Sequence, residues 1–301
     1  MRRPRGSWNE PPNPRLPESG EETNGDSGSA VAQLLEEVGT ETEPRPVLTV
    51  EGLSGRVAVV TGASSGIGRA SAVDLARHGV HIAFNYLNKG GERGLAEAVA
   101  EELEALGVRT YFRACDVRDP GMVTAFMNEV EEELGGIHIL VNNAGIGRDR
   151  ALWRMSDDEW DEVLRTNLSG AFYCLRAVAP RLRAQEFGKV VNISSVHGRR
   201  SEFGIINYSA AKAGIIALTR NAAVELGPSN VNVNAVAPGY IRTTRLTEGV
   251  PPEHLDRARE RSALGRLGDP QDVAGVVTFL CSEAARHITG AVIPIDGGYL
   301  L

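Results

Sequence analysis

The residues best equipped for chemistry are Tyr208 and Lys212, in the run Tyr208-Ser209-Ala210-Ala211-Lys212. The segment predicts a helix, which places positions i and i+4 on one face. A free phenol titrates at about 10 and is a poor acid or base at neutral pH. An ammonium one turn away favours the phenolate and lowers that value. The pair therefore suits general acid–base work on a carbonyl/alcohol couple. The sequence holds six Tyr and only three Lys, at 89, 189 and 212, its other basic positions being Arg. At those counts a chance Tyr-x-x-x-Lys match is uncommon. Lys, with a compact charge and rotatable donors, fits a site that must hold a ribose and tune a phenol.

Other candidates surround this pair in the sequence. Ser195 closes Asn192-Ile193-Ser194-Ser195 and is placed to hydrogen-bond and polarise a substrate carbonyl, with Ser194 the neighbour most easily confused with it. Asn167 falls inside an expected long helix, where Asn is a poor former. It is either a packed polar side chain or the holder of a water that returns protons to Lys212. Asn142-Asn143-Ala144-Gly145 ends a strand and suits a crowded floor beneath a cofactor, although a simple turn explains it about as well.

A glycine-rich turn, Thr61-Gly62-Ala63-Ser64-Ser65-Gly66-Ile67-Gly68-Arg69, follows the first apolar run. Gly62 permits a tight exit from a strand. Gly66 and Gly68 let the backbone approach a pyrophosphate seated on a helix N-terminus. Ser64 and Ser65 add hydroxyl donors. Asp116, in Cys115-Asp116-Val117, can accept from an adenine amino group, while Asp119 before Pro120 better fits a helix N-cap. Cofactors lacking a 2′-phosphate are usually held by an acid about 20 residues past such a loop. Here the strand ends Ala83-Phe84-Asn85-Tyr86-Leu87-Asn88-Lys89, and the first acid, Glu92, is already expected in the next helix. With no carboxylate there and with Arg69 and Lys89 near, NADP(H) is favoured. NAD(H), with Asn85 or Tyr86 serving a ribose hydroxyl, is the alternative.

These residues need a scaffold that gathers them. From about Leu53, β-branched runs (57–60, 81–84, 108–114, 137–141, 189–193, 231–236 and 292–295) alternate with amphipathic helical stretches such as 91–106 and 122–134. That alternation predicts an α/β domain over residues 51–301, with a parallel, doubly wound sheet and helices on both faces. Ligands bind such sheets at the carboxyl ends of the strands, where every candidate above falls. Residues 1–50 differ. They carry seven of the fifteen Pro, and five Arg against nine Asp or Glu give a net charge of -4. A disordered Pro/Gly/Glu-rich extension is expected, with one short helical option at 31–38.

The bulk composition excludes several classes. A net charge of -7 and no basic run argue against nucleic acid as a partner. No run of about 18 apolar residues predicts a membrane span. The basic start lacks the apolar segment of a secretory signal, so a cytoplasmic protein is expected. Cys115, Cys174 and Cys281 are scattered, odd in number and without metal-ligand spacing, so buried reduced thiols and no metal are expected.

Taken together, these motifs resemble the short-chain dehydrogenase/reductase family. The marks appear in order: the TGASSGIG loop at 61–68, Asp116-Val117, NNAG at 142–145, Asn167, Ser195, Tyr208-x-x-x-Lys212, and Pro238-Gly239. Three stretches, at 142–155, 232–244 and 264–298, are similar to 3-oxoacyl-[acyl-carrier-protein] reductases. The resemblance implies a single-domain Rossmann-type sheet of seven parallel strands. It also implies a catalytic tetrad of Asn167, Ser195, Tyr208 and Lys212, with Tyr208 as proton donor. Residues 238–243 would contact the nicotinamide end, among them Pro238, Gly239, Ile241 and Thr243, with Ile241 meeting the carboxamide. It further implies reduction of a 3-oxoacyl thioester on acyl carrier protein, and a homotetramer packed through the long helices after strands four and five. Ser65 departs from the basic residue of many NADP-using relatives. Other secondary alcohols, such as a sugar or steroid, are the alternative substrates. The segment 244–264, with Arg245, His254, Arg257 and Arg259, is the expected substrate lid and does not decide between them. A non-catalytic dinucleotide sensor would show a broken tetrad, and here the tetrad is whole.

Overall fold

Where aliphatic residues bunch, the chain forms strands: β1 (Val57–Thr61), β2 (His81–Tyr86), β3 (Thr110–Ala114), β4 (Ile139–Asn142), β5 (Gly188–Ile193), β6 (Val231–Pro238) and β7 (Val292–Ile295). The amphipathic stretches between them form α1 (Gly66–Arg77), α2 (Glu92–Glu104), α3 (Pro120–Leu134), α4 (Asp157–Leu164), α5 (Gly170–Ala184), α6 (Ile206–Leu226), α7 (Pro252–Arg261) and α8 (Pro270–Cys281). The computed structural model describes residues 50–242 and 250–301. The expected extension up to residue 49, the helical option at 31–38, Thr243 and Arg245 lie outside the described residues.

The seven strands pair in parallel in the order β3-β2-β1-β4-β5-β6-β7. This is the expected doubly wound sheet, and its order reverses between β1 and β4, the place at which such sheets bind ligands. Strand periodicity explains the two cores. In β1, Ala58 and Val60 enter one core with Leu75 of α1, Leu103 of α2 and Val277 of α8. Val57 and Val59 enter the other, with Phe126 of α3, Val178 of α5 and Leu226 of α6. Both faces of the sheet are covered, which is why the strands read as continuous apolar runs rather than alternating ones.

Local signals set the helix ends. The Asp119 carboxylate accepts from the backbone N–H groups of Gly121 and Met122, and Pro120 opens α3. The expected long helix around Asn167 is present: a π turn, Arg165–Ser169, joins α4 to α5 without leaving helical backbone. The wider turn brings the Asn167 side chain inward to the backbone of Ile146. Gly170 then packs so closely on Val117 that a Cβ would lie 2.8 Å from Val117 Cγ2. Such π turns mark functional positions in many helices. The three thiols are free and buried, and no helix among the described residues is long and apolar enough to cross a membrane.

Candidate active site

β5 and α6 bring the acid–base candidates together. Lys212 is 4% exposed, and its Nζ donates to the Ile193 carbonyl at 2.7 Å, at the carboxyl end of β5. The same Nζ lies 5.6 Å from the centre of the Tyr208 ring. The Tyr208 hydroxyl is hydrogen-bonded to Ser195. Ser195 Oγ also accepts from the His197 backbone N–H at 3.1 Å. Ser194 is turned the other way, with its hydroxyl donating to the Lys212 carbonyl at 2.9 Å. Geometry therefore separates the two serines, which the sequence could not do. Gly198 must be glycine-sized, since a Cβ would sit 2.8 Å from the Lys212 backbone.

Burial sets the electrostatics. It pushes the Tyr208 phenol up to about 12, against the opposing pull of the Ser195 hydrogen bond, and the Asp149 carboxylate adds to the rise. It pulls Lys212 down to about 8. The expected lowering of the phenol by the ammonium is not found: desolvation raises it, and Lys212 is not among the groups acting on it. At neutral pH Tyr208 is a protonated donor and Lys212 is predominantly charged.

Asn167, 2% exposed, clamps the backbone of Ile146: Oδ1 accepts from Ile146 N at 2.8 Å and Nδ2 donates to Ile146 O at 2.9 Å. Gly145 lies between this clamp and Lys212, since a Cβ there would be 3.3 Å from Asn167 Oδ1 and 3.6 Å from Lys212 Nζ. Asn167, Gly145 and Lys212 are thus direct neighbours around one small space.

The glycine loop is locked to the NNAG turn. Thr61 Oγ1 accepts from the backbone N–H groups of Asn143 and Ala144 at 2.9 and 3.0 Å. Asn143 Nδ2 donates to the carbonyls of Thr61 and Gly62. Gly62 and Gly66 have φ of 65° and 57°, a region that favours glycine. A Cβ on Gly68 would meet Asn143 Nδ2 and Gly62 O. α1 begins at Gly66 with no side-chain cap from Ser65 and no acid in its first turn, so its leading N–H groups face outward uncapped. This cradle of small residues at an uncapped helix N-terminus fits a dinucleotide pyrophosphate. Ile67 packs on the core beneath it.

The residues expected around the ribose and adenine have different tasks. Asn85, 4% exposed, spends its side chain on the backbone, accepting from Gly62 N at 3.1 Å and donating to Cys115 O at 2.8 Å. The Tyr86 ring lies in the core beside Phe112. The Asp116 carboxylate is held by Arg118, including a 2.6 Å contact, and this keeps it below the usual carboxylate range. Arg69 pairs with Glu102 at 2.7 Å. Glu92 reaches back from α2 to accept from Ser64 Oγ at 2.9 Å. The expected absence of a carboxylate near the glycine loop is therefore corrected: the first turn of α2 brings one there. At the other end, Gly239 N donates to Ile295 O, following Pro238, and Ile241 is buried with its side chain over Gly268.

A second cluster, which carries no sequence motif, stands beside Ser195. His197 Nε2 lies 2.9 Å from Glu202 Oε2, and the Tyr240 hydroxyl donates to the same oxygen at 3.1 Å. Tyr240 packs edge-on against both His197 and Tyr299. Burial lowers His197 and raises Asp149 and Tyr240 from their ordinary values. The only sequence signal was that His197 stands two residues past Ser195. Among the described residues no group of acids, His and Cys has metal-binding geometry.

Comparison with known proteins agrees with this geometry. A family model described as "Enoyl-(Acyl carrier protein) reductase" matches residues 62–300. The chain is 43% identical over 241 residues to the 3-oxoacyl-[acyl-carrier-protein] reductase FabG of Staphylococcus aureus (strain Mu50 / ATCC 700699), covering 80% of this chain and 96% of the relative. It is 44% identical over 247 residues to the protein of the same name from Aquifex aeolicus (strain VF5), covering 82% and 98%. Among solved structures, levodione reductase superposes with a TM-score of 0.76 at 35% identity, over 81% of this chain and 97% of that one. The chain is a short-chain oxidoreductase and belongs to the short-chain dehydrogenase/reductase family.

Proposed function

We propose that the chain reduces the 3-oxo group of an acyl thioester, presented on acyl carrier protein, to the 3-hydroxy group. The observation that carries the chemistry is the meeting of the Ser195 and Tyr208 hydroxyls above buried Lys212. Support for the substrate comes from the names of the relatives, at 42–44% identity. When bound, a nicotinamide dinucleotide supplies the hydride. The chain's own residues do the rest. Ser195 hydrogen-bonds the ketone oxygen and Tyr208 gives it a proton, so that carbonyl plus hydride plus proton becomes the alcohol. Lys212 offsets the charge left on Tyr208, and Asn167 holds the Ile146 loop that borders it. The test is cofactor oxidation with an acetoacetyl thioester. No rate above the Tyr208→Phe background would sink the proposal, and turnover confined to sugar or steroid alcohols would move it to those substrates.

A glycine loop free of acid, with Arg69 near, would favour NADP(H). Glu92 now stands on Ser64 and Arg69 is engaged by Glu102. A carboxylate at this corner suits a ribose 2′-hydroxyl and repels a 2′-phosphate. We therefore favour NAD(H). Equilibrium binding of NADH and NADPH, followed by fluorescence, tests this, and a tighter NADPH complex would reverse it.

A further inference from the structure

A cavity of about 710 Å³ lies at the amino-terminal end of the sheet, lined by Phe187, Lys189, Asn230, Glu283, Arg286 and His287 among others. Lys189 is the second residue of β5, whose opposite end carries Ser195, about 20 Å away at ~3.3 Å per residue. This cavity is remote from the glycine loop and the tyrosine, and the proposed function does not use it.

Lys189 is 3% exposed. Its ammonium donates to Asn232 Oδ1 at 2.8 Å. That oxygen is aimed by the Asn232 amide, which donates to the carbonyls of Arg286 and Ile288. An ammonium has three donors, and a neutral amide answers one of them. No carboxylate among the described residues lies within the 4.0 Å ion-pair range of this nitrogen. Glu283 acts on it only from farther off, and Arg56 opposes Glu283. Buried charges are normally paired. Here a buried cation without a close anion borders an open cavity.

Three further observations point the same way. Arg286 and His287 add donors to the wall, against the single acid Glu283. The Phe187 ring has Arg56 4.0 Å from its centre and Lys189 at 5.7 Å, so two cations stand beside one apolar ring. The described residues contain two non-glycine positions with positive φ, Glu186 at 50° and Asn230 at 55°. They lie just before β5 and β6 and are tied by a bond from Asn230 Nδ2 to Glu186 O at 3.0 Å. Asn230 lines the cavity, so its rim is fixed by residues in an uncommon backbone conformation.

We propose that this cavity binds a small oxyanion of the phosphate or carboxylate class, with Lys189 as its buried anchor and Arg286 at its rim. The inference is independent of the proposed substrate. Its test is calorimetric titration of the full chain at low salt with inorganic phosphate and, separately, with citrate; whichever binds identifies the oxyanion class. Saturable binding is expected, at least tenfold weaker in Lys189→Met and in Arg286→Ala, unchanged in Tyr208→Phe, and retained at saturating NADH. No saturable heat with either anion would overturn it. So would binding that survives both substitutions, and so would binding abolished by NADH, since that heat would belong to the glycine loop. If Lys189→Met fails to fold by circular dichroism, Arg286→Ala alone decides.

Discussion

Two buried lysines sit at opposite ends of β5, in nearly the same local arrangement. Lys212 is 4% exposed and bonds to the Ile193 carbonyl, while Lys189 is 3% exposed and bonds to the Asn232 amide oxygen. Burial pulls both down from their ordinary value, Lys212 to about 8. They are two of only three lysines in the chain. What differs is the company. At the carboxyl end of the strand stand a tyrosine and a serine whose hydroxyls meet, and beside them the glycine loop. At the amino end stand an amide, a phenyl ring, two more basic side chains and one acid, Glu283. A buried ammonium is thus not a catalytic device in itself. The groups within reach decide whether it supports proton transfer or waits for an anion.

Four substitutions break or sharpen this contrast. Tyr208→Phe removes the proposed proton donor and should lower turnover by about 10³-fold, with little change in NADH affinity, read by steady-state kinetics and fluorescence titration. Lys212→Met should lower turnover by about 10²-fold yet stabilise the fold by about 2 kcal/mol at pH 7, because it removes a desolvated charge. The sign follows from the folded value, about 8, lying below the ordinary 10.5. The unfolded chain binds more protons between these values, so the wild type gains stability as pH rises through that window. The advantage of Lys212→Met should be complete below pH 8 and shrink toward pH 10.5, as urea midpoints at several pH values would show. An equal advantage at both ends would disprove the assignment. Wild-type reduction should also decline above pH 8 as Lys212 loses its charge.

Smaller effects follow at the other positions. Glu92→Gln should move the NADPH/NADH affinity ratio about tenfold toward NADPH, or about 1.4 kcal/mol, and an unmoved ratio would remove Glu92 from cofactor choice. Lys189→Met should leave turnover within about twofold of wild type, since Lys189 lies at the far end of β5 from Tyr208. A large loss of turnover there would erase the distinction between the two lysines.

The strands, their parallel direction and the two-sided core were legible because β-branched runs and helical spacing are local signals that burial on both faces reinforces. The Tyr208–Lys212 pair was legible for the same reason, since four residues on a helix are always one turn. Asp119 also followed from local chemistry, as a cap before Pro120. Positions governed by distant partners were not. Asn85 looked free for a ribose, but the neighbouring turns claim both ends of its amide. Glu92 looked too far along the chain, but α2 folds it back onto Ser64. His197 and Glu202 carried no sequence pattern, and their approach depends on how the segment between β5 and α6 folds.

The sequence by itself therefore determined the fold class, the glycine loop and the one-turn spacing of Tyr208 and Lys212, each encoded within a few residues. Tertiary structure alone decided which serine meets the tyrosine, the direction of the Tyr208 and Lys212 shifts, where the carboxylate near the cofactor loop stands, and that a second buried lysine faces a cavity. Those outcomes depend on desolvation and on contacts between residues far apart in the chain, and neither is written in local spacing.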